Sequence, residues 1–118
     1  MQYDISALGN ALVDTQFMVD YKFLEEFGLE ANQMVLVSAE DQKPILEKLQ
    51  SLSYESVSDC GGSATNSLVA ASNYGSKCHH VCRVADDKDG NMYIKSLKQA
   101  GVAHIGISDR NGNLPTGK

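Results

Sequence analysis

Apolar and polar positions along this chain follow two periods, and the switches between them mark its elements. Residues 3–9 (YDISALG) form a short apolar run ended by glycine, which predicts a buried strand. A polar-apolar stretch follows from Ala11 to Val19, and residues 21–29 (YKFLEEFGL) predict a short helix closed by Gly28. Residues 34–38 (MVLVS) predict a strand. Ser38 and Asp41 have capping-box spacing, and Ile45, Leu46, Leu49 and Leu52 fall on one helical face. Pro44 fits that helix only in its first turn, where no backbone donor is lost. Residues 54–59 alternate like a half-exposed strand and run into Gly61-Gly62. Ser63 to Tyr74 read as a buried helix stopped by Gly75, and 77–84 (KCHHVCRV) as a strand. Residues 87–101 predict an amphipathic helix with Met92, Ile94, Leu97 and Ala100 inward, followed by a strand over 102–108 and turn chemistry after it.

Strands alternating with helices imply βαβ units and a largely parallel sheet. The more polar strands at 11–19, 54–59 and 103–108 do not suit a sheet covered on both faces, whose strands are nearly continuous apolar runs. They are expected to form a separate antiparallel flap with one wet face.

Composition narrows the function. The 118 residues are 42% hydrophobic and 21% charged, ordinary globular material of about one domain. A formal charge of −5 argues against non-specific nucleic-acid binding and against an anionic membrane surface. No apolar run approaches the roughly 20 residues a bilayer requires, and the acidic N-terminus is unlike a secretory signal. Three cysteines make no disulfide framework, so a cytoplasmic location is expected.

Two segments could carry chemistry. In Asp59-Cys-Gly-Gly-Ser-Ala-Thr-Asn66 a strand ends, two glycines leave the backbone bare, and a helix begins with its unpaired N–H groups facing outward. Asn66, one turn in, can donate and accept at once, which suits a polyhydroxyl ligand. The bland alternative is a plain βα turn with an exposed Asn. In Gly9-Asn10-Ala-Leu-Val-Asp14 a carboxylate four residues after Asn10 can hold vicinal hydroxyls; alone, a turn Asn and a solvated Asp explain it better. Both segments lie at carboxyl ends of predicted strands, where open α/β sheets bind ligands.

The motifs G-N-x-L-x-D, GGSATNSLVAASNYGS and VADDKDG, in this order, resemble the first half of the PfkB, or ribokinase-like, carbohydrate kinases. The segment through Leu29-Glu-Ala-Asn32 and the run Pro115-Thr116-Gly117 resemble most the adenosine kinase branch. The resemblance implies the N-terminal part of a three-layer α/β/α core with a small β lid, the lid strands falling within 11–19, 34–38, 54–59 and 103–118. It implies an ATP-dependent transfer of phosphate to a sugar or nucleoside hydroxyl. By this resemblance Asp14, Asn10 and Asn66 match hydroxyl-binding positions, Gly61-Gly62 match the hinge-like di-glycine, and Ser63 lines the pocket. The family's base lies in a D-T-x-G-A-G-D stretch that these residues lack. The chain is therefore expected to be cut before its catalytic half and inactive by itself, with no catalytic, metal or cofactor-binding residue, ATP and Mg2+ serving the full-length enzyme. A sheet stopped part-way is also expected to leave an edge open to self-association or dimerisation. Cys82 and Ala85 depart from the family, which usually has glycine at both.

Three patterns compete with this reading. Gly112 to Lys118 fit G-x-x-x-x-G-K, but a P-loop needs a following Ser or Thr and a helix, and Pro115 interrupts this one. Cys78, His80 and Cys82 would share one strand face, yet zinc sites combine ligand pairs from separate loops, and buried thiols are the commoner reading. Asp86, Asp87 and Asp89 are expected to cap the following helix. A non-catalytic module binding a polyhydroxyl ligand remains an alternative to the kinase, and a P-loop fragment a further one.

Overall fold

A computed structural model describes residues 2–111 and 114–117. The chain divides into two units, residues 1–15 with 58–118, and residues 16–57.

The first unit is built on a three-stranded parallel sheet. Strands β1 (Ile5–Leu8), β4 (Cys78–Val81) and β5 (Val102–His104) lie in the order β1-β4-β5. Ile5 pairs with Cys78 and Cys78 with Val102. Helix α3 (Ser63–Asn73) packs on β1 and β4, and α4 (Lys88–Gln99) on β5. The core they enclose contains Leu68, Cys78, Val84, Tyr93, Leu97 and Val102, each at most 2% exposed. Cys78, His80 and Cys82 are all buried, so the strand face predicted from their spacing exists and points inward. Tyr93 and Ser96, absent from the predicted inward stripe of α4, are buried with Leu97, while Met92, Ile94 and Ala100 are half-buried.

Helix boundaries follow local chemistry. Asp87 caps α4, its carboxylate accepting the Gly90 N–H at 2.6 Å. The chain leaves α3 through Gly75 and α4 through Gly101, both at positive φ. The expected buried character of residues 3–9 is not found. Leu8 is 81% exposed, because β1 is an edge strand and Leu8 lies on the sheet face opposite α3.

Two strands, β2 (Leu12–Phe17) and β3 (Ser56–Gly61), form a separate sheet. Thr15 Oγ1 lies 2.9 Å from Ser58 Oγ, and the Met18 N–H donates to Glu55 O at 3.3 Å. As one strand's numbers rise the other's fall, the antiparallel sense. Their largely exposed residues give the wet ribbon expected from 11–19 and 54–59.

Two expected lid segments differ. The strand at 102–108 is short and belongs to the parallel sheet, because it leaves α4 as a βα crossover beside β4, and Gly106 at φ 82 breaks its alternation. The rest of 103–118 contributes only parallel bridges, Ala85 with Asp109 and Leu12 with Gly117. Residues 34–38 are not a strand: Met34 and Leu36 are 88% and 90% exposed. Strand propensity there meets no pairing partner among the described residues, and Ser38 is committed to capping the next helix.

The second unit carries α1 (Tyr21–Glu26) and α2 (Ala39–Ser51). Phe23 is buried against Phe27 and Tyr54, with ring centroids 4.9 and 6.0 Å away. Ser38 caps α2 and receives the Asp41 N–H at 3.1 Å, as its spacing predicts. Pro44 lies well inside α2 instead of in its first turn. The helix runs through it and forgoes the bond that the Glu40 carbonyl would otherwise accept.

Candidate functional site

The first unit brings the two motif segments into direct contact. Strand β2 follows the bend at Gly9-Asn10, and the Val13 N–H donates to Gly117 O at 3.0 Å, fixing the backbone next to Asp14. On β3, Gly61 lies directly under the Asp14 carboxylate: a Cβ on Gly61 would fall 2.5 Å from Asp14 Oδ1, with Oδ2 and Cγ nearer still. Gly62 adopts φ 95, ψ 146 and serves as the N-cap of α3 without any side-chain cap bond. A Cβ there would sit 3.1 Å from the Asn10 carbonyl oxygen and 3.7 Å from Thr65 Oγ1. The two glycines thus serve different ends. Gly61 makes room for a carboxylate, and Gly62 supplies a backbone shape that L-residues rarely adopt.

Asn10, Asp14, Ser63 and Asn66 are exposed, Gly61 is buried and Gly62 half-buried. Asn10, Asp14, Gly61 and Gly62 therefore gather around one turn, with Ser63 opening the helix beyond it. Asn66 lines a pocket of about 320 Å³ with Asp59, Cys60, Val69, Ser96, Gln99 and Ala100. Asp59 accepts a hydrogen bond from the Ser96 hydroxyl and another from the Cys60 N–H at 2.8 Å. The Ser96 bond holds the Asp59 carboxyl below the usual carboxylate range, against a smaller opposing effect of burial. Burial pushes the Cys60 and Cys82 thiols up.

Beneath the turn runs a buried polar chain that sequence reading did not find. Thr65 Oγ1 lies 3.0 Å from His80 Nε2 and 2.7 Å from Tyr93 Oη, and His80 Nδ1 lies 3.2 Å from the Ala7 carbonyl oxygen. Burial pushes the Tyr93 phenol well above its ordinary range, so it is a proton donor at neutral pH. The only sequence signal is the polar members of otherwise apolar faces, His80 between Cys78 and Cys82 and Thr65 next to Asn66.

The remaining motifs resolve into structure. Among the described residues no group of three His, Cys, Asp or Glu side chains could hold a metal ion. Gly112 and Lys118 of the G-x-x-x-x-G-K pattern lie outside the described residues. Thr116 within it is buried, its hydroxyl accepting from the Ala85 N–H at 3.2 Å and its N–H donating to Asp87 Oδ2 at 2.8 Å. Arg83 ties the same segment down through Asp109 and the Leu114 and Pro115 carbonyls.

With a parallel sheet, α3 and α4 against it, and a di-glycine turn leading into α3, the fold is that of the N-terminal part of the ribokinase-like kinases. The chain is similar to a probable sugar kinase from Rhizobium etli CFN 42, at 24% identity over 98% of this chain and TM-score 0.71. It is similar to an adenosine kinase from Sinorhizobium meliloti at 28% identity over 88% of the chain, TM-score 0.69. The adenosine kinase from Schistosoma mansoni in complex with tubercidin superposes at TM-score 0.76 and 18% identity, over 94% of the chain. These matches span 32%, 31% and 33% of the respective structures, so the chain corresponds to about a third of each. No family model matches the chain, and neither does any curated protein. No helix among the described residues is long and apolar enough to cross a membrane.

Proposed function

We propose that this chain is the acceptor-binding part of an ATP-dependent kinase that phosphorylates a hydroxyl of a sugar or nucleoside. The observation that carries the proposal is the seat of Asp14 on Gly61. A side chain is absent where a carboxylate must stand, and Asn10 and the bare Gly62 backbone lie beside it. An ionised carboxylate accepts from two vicinal hydroxyls, while the amides of Asn10 and Asn66 can donate as well as accept. Asn66, lining its pocket with Asp59 and Ser96, extends the acceptor surface along α3. Ser63 opens that helix and adds a hydroxyl. The sugar kinase and adenosine kinase neighbours support a small polyhydroxyl acceptor over a macromolecule.

In this reading the chain does the positioning, a large share of what phosphoryl transfer requires. ATP and Mg2+ belong to the full-length enzyme, and no residue of this chain is assigned to hold either or to act as base. β2 and β3 supply lid strands, and the location is the cytoplasm. The exposed β1 edge offers a surface for pairing with a second copy.

The test is kinetic. In the full-length enzyme Asp14→Asn removes the charge but keeps the shape, so kcat/KM for the acceptor falls about ten- to a hundredfold, the worth of a charge-assisted hydrogen bond. ATP affinity stays within about twofold because the change is remote from the nucleotide in this assignment. Unchanged acceptor kinetics would remove Asp14 from the site.

A further inference from the structure

The di-glycine turn has a mechanical problem. Gly62 caps α3 with no side chain to bond the helix's first N–H groups, and glycine has the widest backbone freedom of any residue. A binding turn that flexible needs an anchor from elsewhere. Thr65, three residues on, is fully buried and ties the first turn of α3 to β4 through His80 and to α4 through Tyr93, each also 0% exposed. The anchor lies beside the site on both sides. A Cβ on Gly62 would stand 3.7 Å from Thr65 Oγ1, and a Cβ on Gly9, the residue before Asn10, would meet Ala64 Cβ at 2.7 Å and His80 Cε1 at 3.5 Å.

The proton positions follow from donor and acceptor chemistry. The Ala7 carbonyl can only accept, so Nδ1 of His80 carries hydrogen. In the neutral ring Nε2 is then an acceptor, the Thr65 hydroxyl donates to it, and the Thr65 oxygen accepts from Tyr93 Oη–H. The Tyr93 hydroxyl also meets the Cys82 thiol, and with Tyr93 donating to Thr65 the chain runs one way, Tyr93 to Thr65 to His80 to Ala7. A fully satisfied buried network has one low-energy arrangement, which is what a mobile turn lacks by itself.

We infer that Thr65, His80 and Tyr93 form a positioning relay for the di-glycine turn, with the His80 Nδ1–H turned to the Ala7 carbonyl and Nε2 to the Thr65 hydroxyl. None of the three touches the acceptor in this assignment; they act through Gly62 and Gly9. The inference rests on the proposed acceptor site for its purpose, while its geometry is testable without any ligand.

The experiment is nitrogen-15 NMR on the 118-residue chain. In the unsubstituted protein at neutral pH, the long-range proton–nitrogen spectrum of His80 is expected to show a protonated Nδ1 and an unprotonated Nε2. The opposite tautomer, or an even mixture, overturns the relay. Thr65→Val, which keeps shape and deletes the hydroxyl, is expected to mix the His80 tautomers and to shift or broaden the Gly61 and Gly62 amides, leaving Leu49 unmoved. Thr65→Ser restores both signatures. Should Thr65→Val not fold, Tyr93→Phe, which removes the bond to Thr65 and keeps the Thr65–His80 bond, is expected to shift or broaden the Gly61 and Gly62 amides while leaving the His80 tautomer unchanged. Gly61 and Gly62 amides indifferent to both substitutions overturn the positioning role. With adenosine as probe, Thr65→Val weakens binding about tenfold and Thr65→Ser recovers it. If the unsubstituted chain binds neither adenosine nor ribose, the acceptor reading fails, while the tautomer and amide signals still decide the relay.

Discussion

Asp14 occupies the space that a side chain on Gly61 would need: a Cβ built there falls 2.5 Å from Asp14 Oδ1. The carboxylate is exposed and stands at the end of a rotatable side chain, so it can yield where a backbone atom could not. Gly61→Ala is therefore expected to leave the midpoint of urea unfolding nearly unchanged and to weaken sugar or nucleoside binding at least tenfold by turning the carboxylate aside. Loss of stability with binding retained would mean that the contact is packing alone.

Gly90 makes the opposite prediction. A Cβ there would overlap the Ala85 carbonyl oxygen and stand 2.9 Å from both Thr116 Oγ1 and Val84 Cγ1. Backbone on one side and a buried hydroxyl on the other leave no room to yield. Gly90→Ala is expected to cost about 1–3 kcal/mol or more of unfolding free energy, the range for overpacking. Thermal or urea unfolding measures it directly.

The Asp59–Ser96 bond should be visible in the pH dependence of stability. The Ser96 hydroxyl holds the Asp59 carboxyl below its ordinary value. A depressed folded-state value means stability that is present above the unfolded value, about 3.9, and lost as pH falls through it towards the folded one. Ser96→Ala is expected to flatten urea-derived stability between neutral pH and about pH 3 at this carboxylate's share, with the larger loss at neutral pH.

Thiol chemistry tests the core. Burial raises the Cys60 and Cys82 thiols, so thiolate is scarce at both, and Cys78 is 1% exposed, out of a reagent's reach. Labelling by a disulfide reagent at about pH 8 should be slow in the folded chain and complete in urea. A thiol that reacts at once under native conditions would contradict the packing described for its strand.

The parts of this structure that were legible in the sequence are those decided within a turn of chain. Ser38 and Asp87 announce helix starts, and Gly28, Gly75 and Gly101 announce stops, because caps and left-handed turns are local chemistry. The inward face of Cys78, His80 and Cys82 was legible for the same reason, as strand period is local. Choice of partner was not. Residues 34–38 have strand composition without a partner among the described residues, and Val102–His104 pair with β4 instead of with the β2–β3 ribbon, which no window on the sequence decides. The site divides along the same line. Asn10, Asp14, Gly61 and Gly62 stood out by residue type and spacing. The Ser96 bond to Asp59 and the relay under the turn join residues 15 to 37 positions apart on separate elements, and their polar members looked like interruptions of apolar faces.

Acceptor binding at the Asp14 turn is read by an equilibrium titration of the chain and its Asp14→Asn variant with adenosine and with ribose, followed at the Asn10, Gly61 and Gly62 amides. Saturable shifts are expected at these three positions with at least one of the two ligands, weakened about tenfold or more by the substitution. Equal affinity in both proteins, or shifts that bypass these residues, would contradict it.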